Sequence, residues 1–402
     1  MRKAYQYRLY PTRKQAKLLF WTLARCRELY NAALSERRDA YRYASKSISY
    51  YEQKRDLPEI KTDLREEYQQ IHSQVLQDVL LRLDKAFKAF FRRIQNGETP
   101  GYPRFQGRNR YTSFTYPQGG YTLCEKHVSF SKIGTIKVKF HRPVEGKIKT
   151  ATIKYEAGQW YVVFSCEVEE KPAKLPSTSQ AVGIDLGLLH FATLSTGDTI
   201  ENPRYLRKAQ AALKRKQRHL SGCKRGSHRR EKARKAVAKA HRKIRNQRHD
   251  FLHKQSRQLV TTYETIVFED LQIANISKAP KPKQDENGNY LPNGASQKAG
   301  LNKSILDAGW GIFMTYCADK AAWAGCTVIK IDPYKTSQLC SQCGKEGPHK
   351  DLSERTHTCV HCGVVLDRDH NAALNILAAW KTPTARPRLR GDRGRAVEAP
   401  AF

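Results

Sequence analysis

No run of apolar residues in this chain approaches the roughly 20 needed to span a bilayer, which argues against a helical membrane protein. The opening stretch MRKAYQYRLYPTRKQ alternates polar and aromatic residues and lacks the apolar segment that precedes a signal cleavage site, so no secretory signal is expected. Acids are scarce: 38 Asp and Glu stand against 73 Lys and Arg in 402 residues, a formal net charge of +35. Self-repulsion of that size is relieved by a polyanion, and the basic residues are spread over most of the chain, so nucleic acid is the expected partner rather than a membrane surface. Disulfide patterning is missing too. Of ten cysteines, Cys26, Cys124, Cys166, Cys223, Cys317 and Cys326 are scattered, several among apolar neighbours, which fits a reducing compartment. The expected location is cytoplasmic and nucleoid-associated.

The other four cysteines are patterned. Cys340, Cys343, Cys359 and Cys362 form C-x2-C-x15-C-x2-C, the ligand type and spacing of a tetrahedral zinc ribbon. Gly344 and Gly363, each directly after a C-x2-C, suit tight turns around the ion. Four thiolates leave no open position, so this zinc is expected to be structural. His349, His357 and His361 are expected to stand outside the ligand set.

Periodicity divides the chain. Residues 4–10 alternate like a strand. Residues 14–40 and 72–94 carry apolar residues at helical spacing, the second ending at Asn96-Gly97. From 111 to about 169 the period is two, punctuated by glycines. This predicts a small N-terminal β-barrel or sheet domain of residues 1–10 and 111–170, with a helical bundle, 11–110, inserted in it. Residues 171–180 read as a linker. Strands are then expected at 181–187, 190–195, 199–202, 265–268 and 326–332, with a basic helical segment at 204–257 and a helix at 304–325. That segment holds 21 Lys or Arg against two acids, far beyond an ordinary solvated face. It predicts a phosphate-tracking surface, with Lys214, Arg215, Arg242 and Arg245 as candidate contacts. Residues 278–300 read as a mobile loop and 381–402 as a disordered tail.

Three strands on short turns, then helix–strand–helix–strand and a last helix, is the element order of a ribonuclease-H-like fold. That domain would comprise 181–338 and 364–380, with the zinc ribbon, 339–363, inserted. The expected class is therefore a multidomain α+β and α/β protein.

Three acids sit at element ends: Asp185 in AVGIDLG, Glu269 after TIVF, and Asp369 at the start of the last helix. Each alone could be ordinary: a turn residue, a surface acid, a helix N-cap. If the first and fourth strands are neighbours, all three converge. Clustered carboxylates call for hard divalent cations, and two Mg²⁺ about 3.5–4 Å apart could clamp a phosphodiester undergoing in-line hydrolysis. Asp270 and Asp367 are the alternatives for the second and third positions.

Several stretches together resemble the TnpB (OrfB-type) family of transposon-encoded nucleases, relatives of the type V CRISPR effectors: YRLYPTRKQ, GYPRF, VGIDLG, FEDL, LNKSILDAGWGIF, and YKTSQLCSQCG continuing into CVHCGVVLDRDHNAALNI. The resemblance implies an RNA-guided DNA endonuclease. A guide RNA derived from the transposon end would pair with one strand of double-stranded DNA, and the protein would read a short adjoining motif. It puts a RuvC-type triad on Asp185, Glu269 and Asp369, and readers of the flanking motif on Gln77 and Thr115. It implies one protein copy per ribonucleoprotein. Two other readings fit the residues: an RNA-independent transposase or resolvase, and a catalytically silent zinc-ribbon DNA-binding regulator.

Overall fold

The computed structural model describes residues 2–169, 180–348 and 354–382. Two compact units divide at residue 170, Met1–Glu170 and Lys171–Phe402. Most of the expected linker and tail, 171–179 and 383–402, and His349 lie outside the described residues. Among the described residues no helix is long and apolar enough to cross a membrane.

In the first unit, β1 (Arg2–Tyr10) leads into α1 (Arg13–Ala44). Thr12 and Gln15 form a capping box that starts this helix, and Ser45 in the left-handed region ends it. Two short helical turns, α2 (Tyr50–Arg55) and α3 (Leu57–Glu59), precede α4 (Ser73–Gln95). Helix α4 buries Val75, Leu76, Val79, Leu80 and Leu83 on one stripe, as its spacing predicts. Six strands follow: β2 (Ser113–Tyr116), β3 (Tyr121–Cys124), β4 (His127–Phe130), β5 (Gly134–Lys139), β6 (Lys147–Glu156) and β7 (Gln159–Glu167). With β1 they make a seven-stranded antiparallel sheet in the order β2-β6-β7-β1-β5-β4-β3. The expected barrel or sheet domain is thus a sheet whose ladder, among the described residues, keeps two edges, β2 and β3. The side chains Tyr5, Tyr7, Leu9, Phe114, Val162 and Phe164 alternate into one apolar core shared with α1 and α4.

The second unit opens with β8 (Ala181–Asp185), β9 (His190–Leu194) and β10 (Thr199–Glu201), followed by α5 (Tyr205–Ser221) and α6 (His228–Thr262). The expected single basic segment is therefore two helices. Gly226, at φ 83°, turns the chain, and Ser227 caps the second helix. β11 (Thr265–Glu269), the turn α7 (Ile273–Ile276) and a small hairpin of β12 (Lys283–Gln284) and β13 (Tyr290–Leu291) come next. The hairpin and the start of α8 (Ala295–Ala308) occupy the region expected to be a loop. The helix expected at 304–325 is split: Gly309, at φ 76°, separates α8 from α9 (Trp310–Ala324). β14 (Thr327–Ile331), β15 (Thr356–Thr358), β16 (Val365–Asp367) and α10 (Arg368–Lys381) complete the unit.

Its main sheet runs β10-β9-β8-β11-β14. β8, β9 and β10 are antiparallel neighbours, whereas β8, β11 and β14 are parallel. Alternation assigns the two faces of the sheet. Val182, Ile184, Ile266 and Phe268 pack with Leu252, Leu259, Phe313 and Cys317 from α6 and α9. On the opposite face, Val267 packs with Ile331 and with Ile376 of α10.

Candidate nuclease site and metal centre

Strand parity brings the acids together. In the β8–β11 register, Ile184 lies opposite Phe268, so Asp185 and Glu269 follow side by side at the carboxyl edge of the sheet. Both share the parity of Gly183 and Val267, the residues beneath α10, so both carboxylates emerge on the face that α10 covers. The helix comes very close there: a Cβ on Gly183 would meet the Ala373 carbonyl and lie 2.7 Å from the Leu377 amide nitrogen. That contact brings the first turn of α10, which carries Asp369, over the ends of β8 and β11.

The N-cap of α10 is Asp367, not Asp369. The Asp367 carboxylate accepts the Asp369 and His370 amides at 2.9 and 3.0 Å, so the capping role falls to the alternative acid and Asp369 is left to face the sheet. The other alternative, Asp270, is exposed, with Lys330 Nζ 3.7 Å away.

Electrostatics records the convergence. Burial, then the nearby Glu269 and Asp369, push the Asp185 carboxyl up to about 8, against a pull from the Leu186 amide and Arg368. Burial also raises Glu269, and a hydrogen bond from the Thr336 hydroxyl opposes the rise. Asp369 is raised by burial and by Asp367, and Arg355, 3.9 Å from its Oδ1, opposes this. A Cβ on Gly187 would crowd the His190 carbonyl at 3.0 Å and stand 3.9 Å from Asp369 Oδ2, an ordinary contact, so this glycine lies beside the acid. Carboxylates each disfavoured as an anion are the donor type that hard divalent cations take, although among the described residues only the cysteines below are gathered closely enough for one ion as they stand.

The cysteines form a second site. Their four Sγ atoms lie within 4.8 Å of one another, the one group among the described residues gathered closely enough for a single ion. Cys340 and Cys362 are 3.7 Å apart, and Cys343 and Cys359 are 3.6 Å apart. A tetrahedron with Zn–S near 2.3 Å has edges of about 3.8 Å, so the set fits zinc. The two halves repeat one turn. The Gly344 amide bonds the Cys340 carbonyl and the Gly363 amide the Cys359 carbonyl, with both glycines at positive φ. His357 and His361 stand outside the thiol group. The β15–β16 hairpin that carries the second pair runs directly into α10.

The nucleic-acid candidates are dispersed. Lys214 and Arg215 are exposed on α5, and Arg242 and Arg245 are half-buried on α6. Gln77 is half-buried on α4. Thr115 is 8% exposed; its hydroxyl accepts from Arg82 Nη2 at 2.5 Å and lies 2.8 Å from the Thr152 hydroxyl, so it is engaged inside the first unit. Thr336 and Arg355 were absent from the sequence expectation. Both lie within or beside the cysteine motif, but nothing in spacing says which strand-end acid either would meet.

Three family profiles match the chain. OrfB_IS605, described as "Probable transposase", matches residues 163–279, and the Cas12f1-like TNB domain matches 310–376. A helix-turn-helix profile matches 1–46, which here is a strand followed by one long helix. A Streptomyces pristinaespiralis protein provisionally named an RNA-guided DNA endonuclease is 35% identical over 392 residues, covering 96% of this chain and 91% of that protein. The Escherichia coli K12 protein InsQ, named in the same way, is 32% identical over 94% of this chain and 92% of its own length. The CRISPR-associated endodeoxyribonuclease Cas12f1 of Sulfoacidibacillus thermotolerans is 30% identical over 54% of this chain and 50% of its own.

Proposed function

This chain belongs to the TnpB (OrfB-type) family of transposon-encoded RNA-guided DNA endonucleases, and from that premise we propose that it cuts target DNA at the carboxylates of Asp185, Glu269 and Asp369. One observation carries the assignment: acids from two adjacent parallel strands, and one from the helix packed against them, share one sheet edge, where Glu269 and Asp369 push the Asp185 carboxyl up. A strand order of 3-2-1-4-5, antiparallel then parallel, supports reading this unit as an RNase-H-like RuvC domain. The cysteine hairpin, inserted between β14 and α10, supports reading a zinc ribbon with one structural Zn²⁺.

Mg²⁺ ions held by these acids would supply a water activated for attack and a Lewis acid at the leaving 3′ oxygen. The protein's own part is positional. Asp185 and Glu269 are fixed by neighbouring strands, and Asp369 by a capped helix that lies tightly on Gly183. Gly187 lies at the same edge, beside Asp369. The exposed Lys214 and Arg215, with Arg242 and Arg245 on α6, would track phosphates of the heteroduplex or the displaced strand. Gln77 and Thr115 in the first unit are the proposed readers of the flanking motif; for Thr115 this requires release of its bond from Arg82.

The test is to purify the protein with its RNA, sequence that RNA, and assay Mg²⁺-dependent cleavage of a library of matching targets. Loss of cutting in Asp369→Ala with RNA binding retained supports the assignment. Unchanged cutting would remove Asp369 from the site.

A further inference from the structure

We propose that Thr336 is a positioning residue for the cutting site: its hydroxyl holds Glu269, and Asn371 and Asn375 of α10 hold the segment that carries it. The inference rests on the assignment of Glu269 to that site and adds a residue outside the acid set.

Thr336 lies between β14 and Cys340 and is 7% exposed. Its Oγ1 has one proton and two acceptors within reach, Glu269 Oε1 in short contact and the Pro333 carbonyl at 3.3 Å. The carboxylate takes it. Glu269 Oε1 is then engaged, and Oε2 is the oxygen left without that bond.

The segment itself is tied down from α10. Asn375 Nδ2 donates to the Thr336 carbonyl at 2.8 Å and to the Leu339 carbonyl at 2.7 Å. Asn371, fully buried, donates to the Leu339 carbonyl at 2.8 Å and accepts the Ser341 amide at 2.9 Å. These side chains are four residues apart and so share a helix face. Lys335 sits at φ 57°, a left-handed conformation unfavourable for a residue with a Cβ, and the bonds from α10 begin at the residue directly after it. One helix therefore presents Asp369 directly and Glu269 through Asn375 and Thr336. The same fastening leads straight into Cys340, so the thiol site and the carboxylate site share a support.

A carboxylate ligand is free to rotate unless its outer oxygen is bonded. Loss of such a partner typically costs 10- to 100-fold in metal affinity or activity. Thr336→Val keeps the shape and removes the donor; Thr336→Ser keeps the donor. Each would be compared in the full-length protein loaded with its RNA, by single-turnover cleavage across a Mg²⁺ series, target-DNA affinity and zinc content. Mn²⁺ binding to the zinc-loaded protein, followed by electron paramagnetic resonance, gives a readout independent of cleavage. We expect Thr336→Val to slow cleavage and weaken Mn²⁺ binding by about 10- to 100-fold, with target affinity and zinc content unchanged, and Thr336→Ser to stay close to wild type. Should Thr336→Val lose zinc or unfold, the contrast between Thr336→Ser and Thr336→Ala in Mn²⁺ binding decides the question. Wild-type rate and Mn²⁺ binding in Thr336→Val, alongside an inactive Glu269→Gln, would overturn the role of Thr336 alone. Normal cutting by Glu269→Gln would instead overturn the assignment of Glu269, and the proposal with it.

Discussion

Gly183 lies directly beneath Ala373: its missing side chain is the space in which the backbone of α10 rests on β8, with the Leu377 amide nitrogen 2.7 Å from where a Cβ would stand. The same strand carries Asp185 two residues on, and the same helix carries Asp369. Their separation is thus set by how closely helix and sheet approach.

Gly183→Ala should therefore act on both stability and cutting. A methyl that meets backbone on a rigid helix cannot be absorbed by side-chain motion, so a loss of about 1–3 kcal/mol is expected. Urea unfolding measures the loss. Cleavage at a temperature where the variant is folded should fall as well, because α10 must lift away from the strand. A variant as stable and active as wild type would show that the helix adjusts freely.

Asp367 and Asp369 should separate cleanly. Asp367→Ala removes a cap that accepts two amides and should cost about 1 kcal/mol while leaving measurable cutting. Asp369→Asn should abolish cutting while keeping the melting temperature. The reverse pattern would assign the chemistry to Asp367.

The position of the Asp185 carboxyl at about 8 makes a pH prediction. Its unfolded value is about 4, so between these limits the unfolded chain has released the proton and the folded chain retains it. The magnesium-free, zinc-loaded protein should lose stability as pH rises from about 4 towards 8, with no further loss from this group above that. Asp185→Asn should flatten the slope, and added Mg²⁺ should stabilise wild type more at pH 8 than at pH 6. Scanning fluorimetry at constant ionic strength reads both effects.

Zinc is expected at one ion per chain by elemental analysis. Cys343→Ser opens the thiol tetrahedron and should lower that content. Cutting should fall with it, because the hairpin runs directly into α10.

Lys214→Ala and Arg215→Ala should each weaken nucleic-acid binding about equally across sequences. Each should also reduce the slope of log affinity against log salt by about one if it contacts a phosphate. An unchanged slope would mean that this face of α5 is only solvated.

Elements with strong local signals were legible without coordinates. The apolar stripe of α4, the strands around Asp185 and Glu269, and the paired C-x2-C turns all follow from periodicity and ligand spacing. The breaks were harder. Gly226 and Gly309 interrupt stretches whose composition is otherwise helical, and a single glycine inside such a pattern does not announce a positive φ. Barrel and open sheet are not divided by the sequence for a related reason: alternation defines strands, whereas closure depends on how the edges β2 and β3 are disposed.

By itself the sequence determined the chemistry available: a polybasic chain, four thiols at zinc spacing, and acids at the ends of apolar segments. These are local matters of charge, period and interval. Only the tertiary structure decided which acids share a sheet edge, which one caps α10, and which hydroxyl bonds Glu269. Those outcomes depend on strand order and parity and on a helix docking to within a methyl's breadth of a glycine. The residues concerned lie up to 184 positions apart, Asp185 to Asp369, a separation that no local pattern spans.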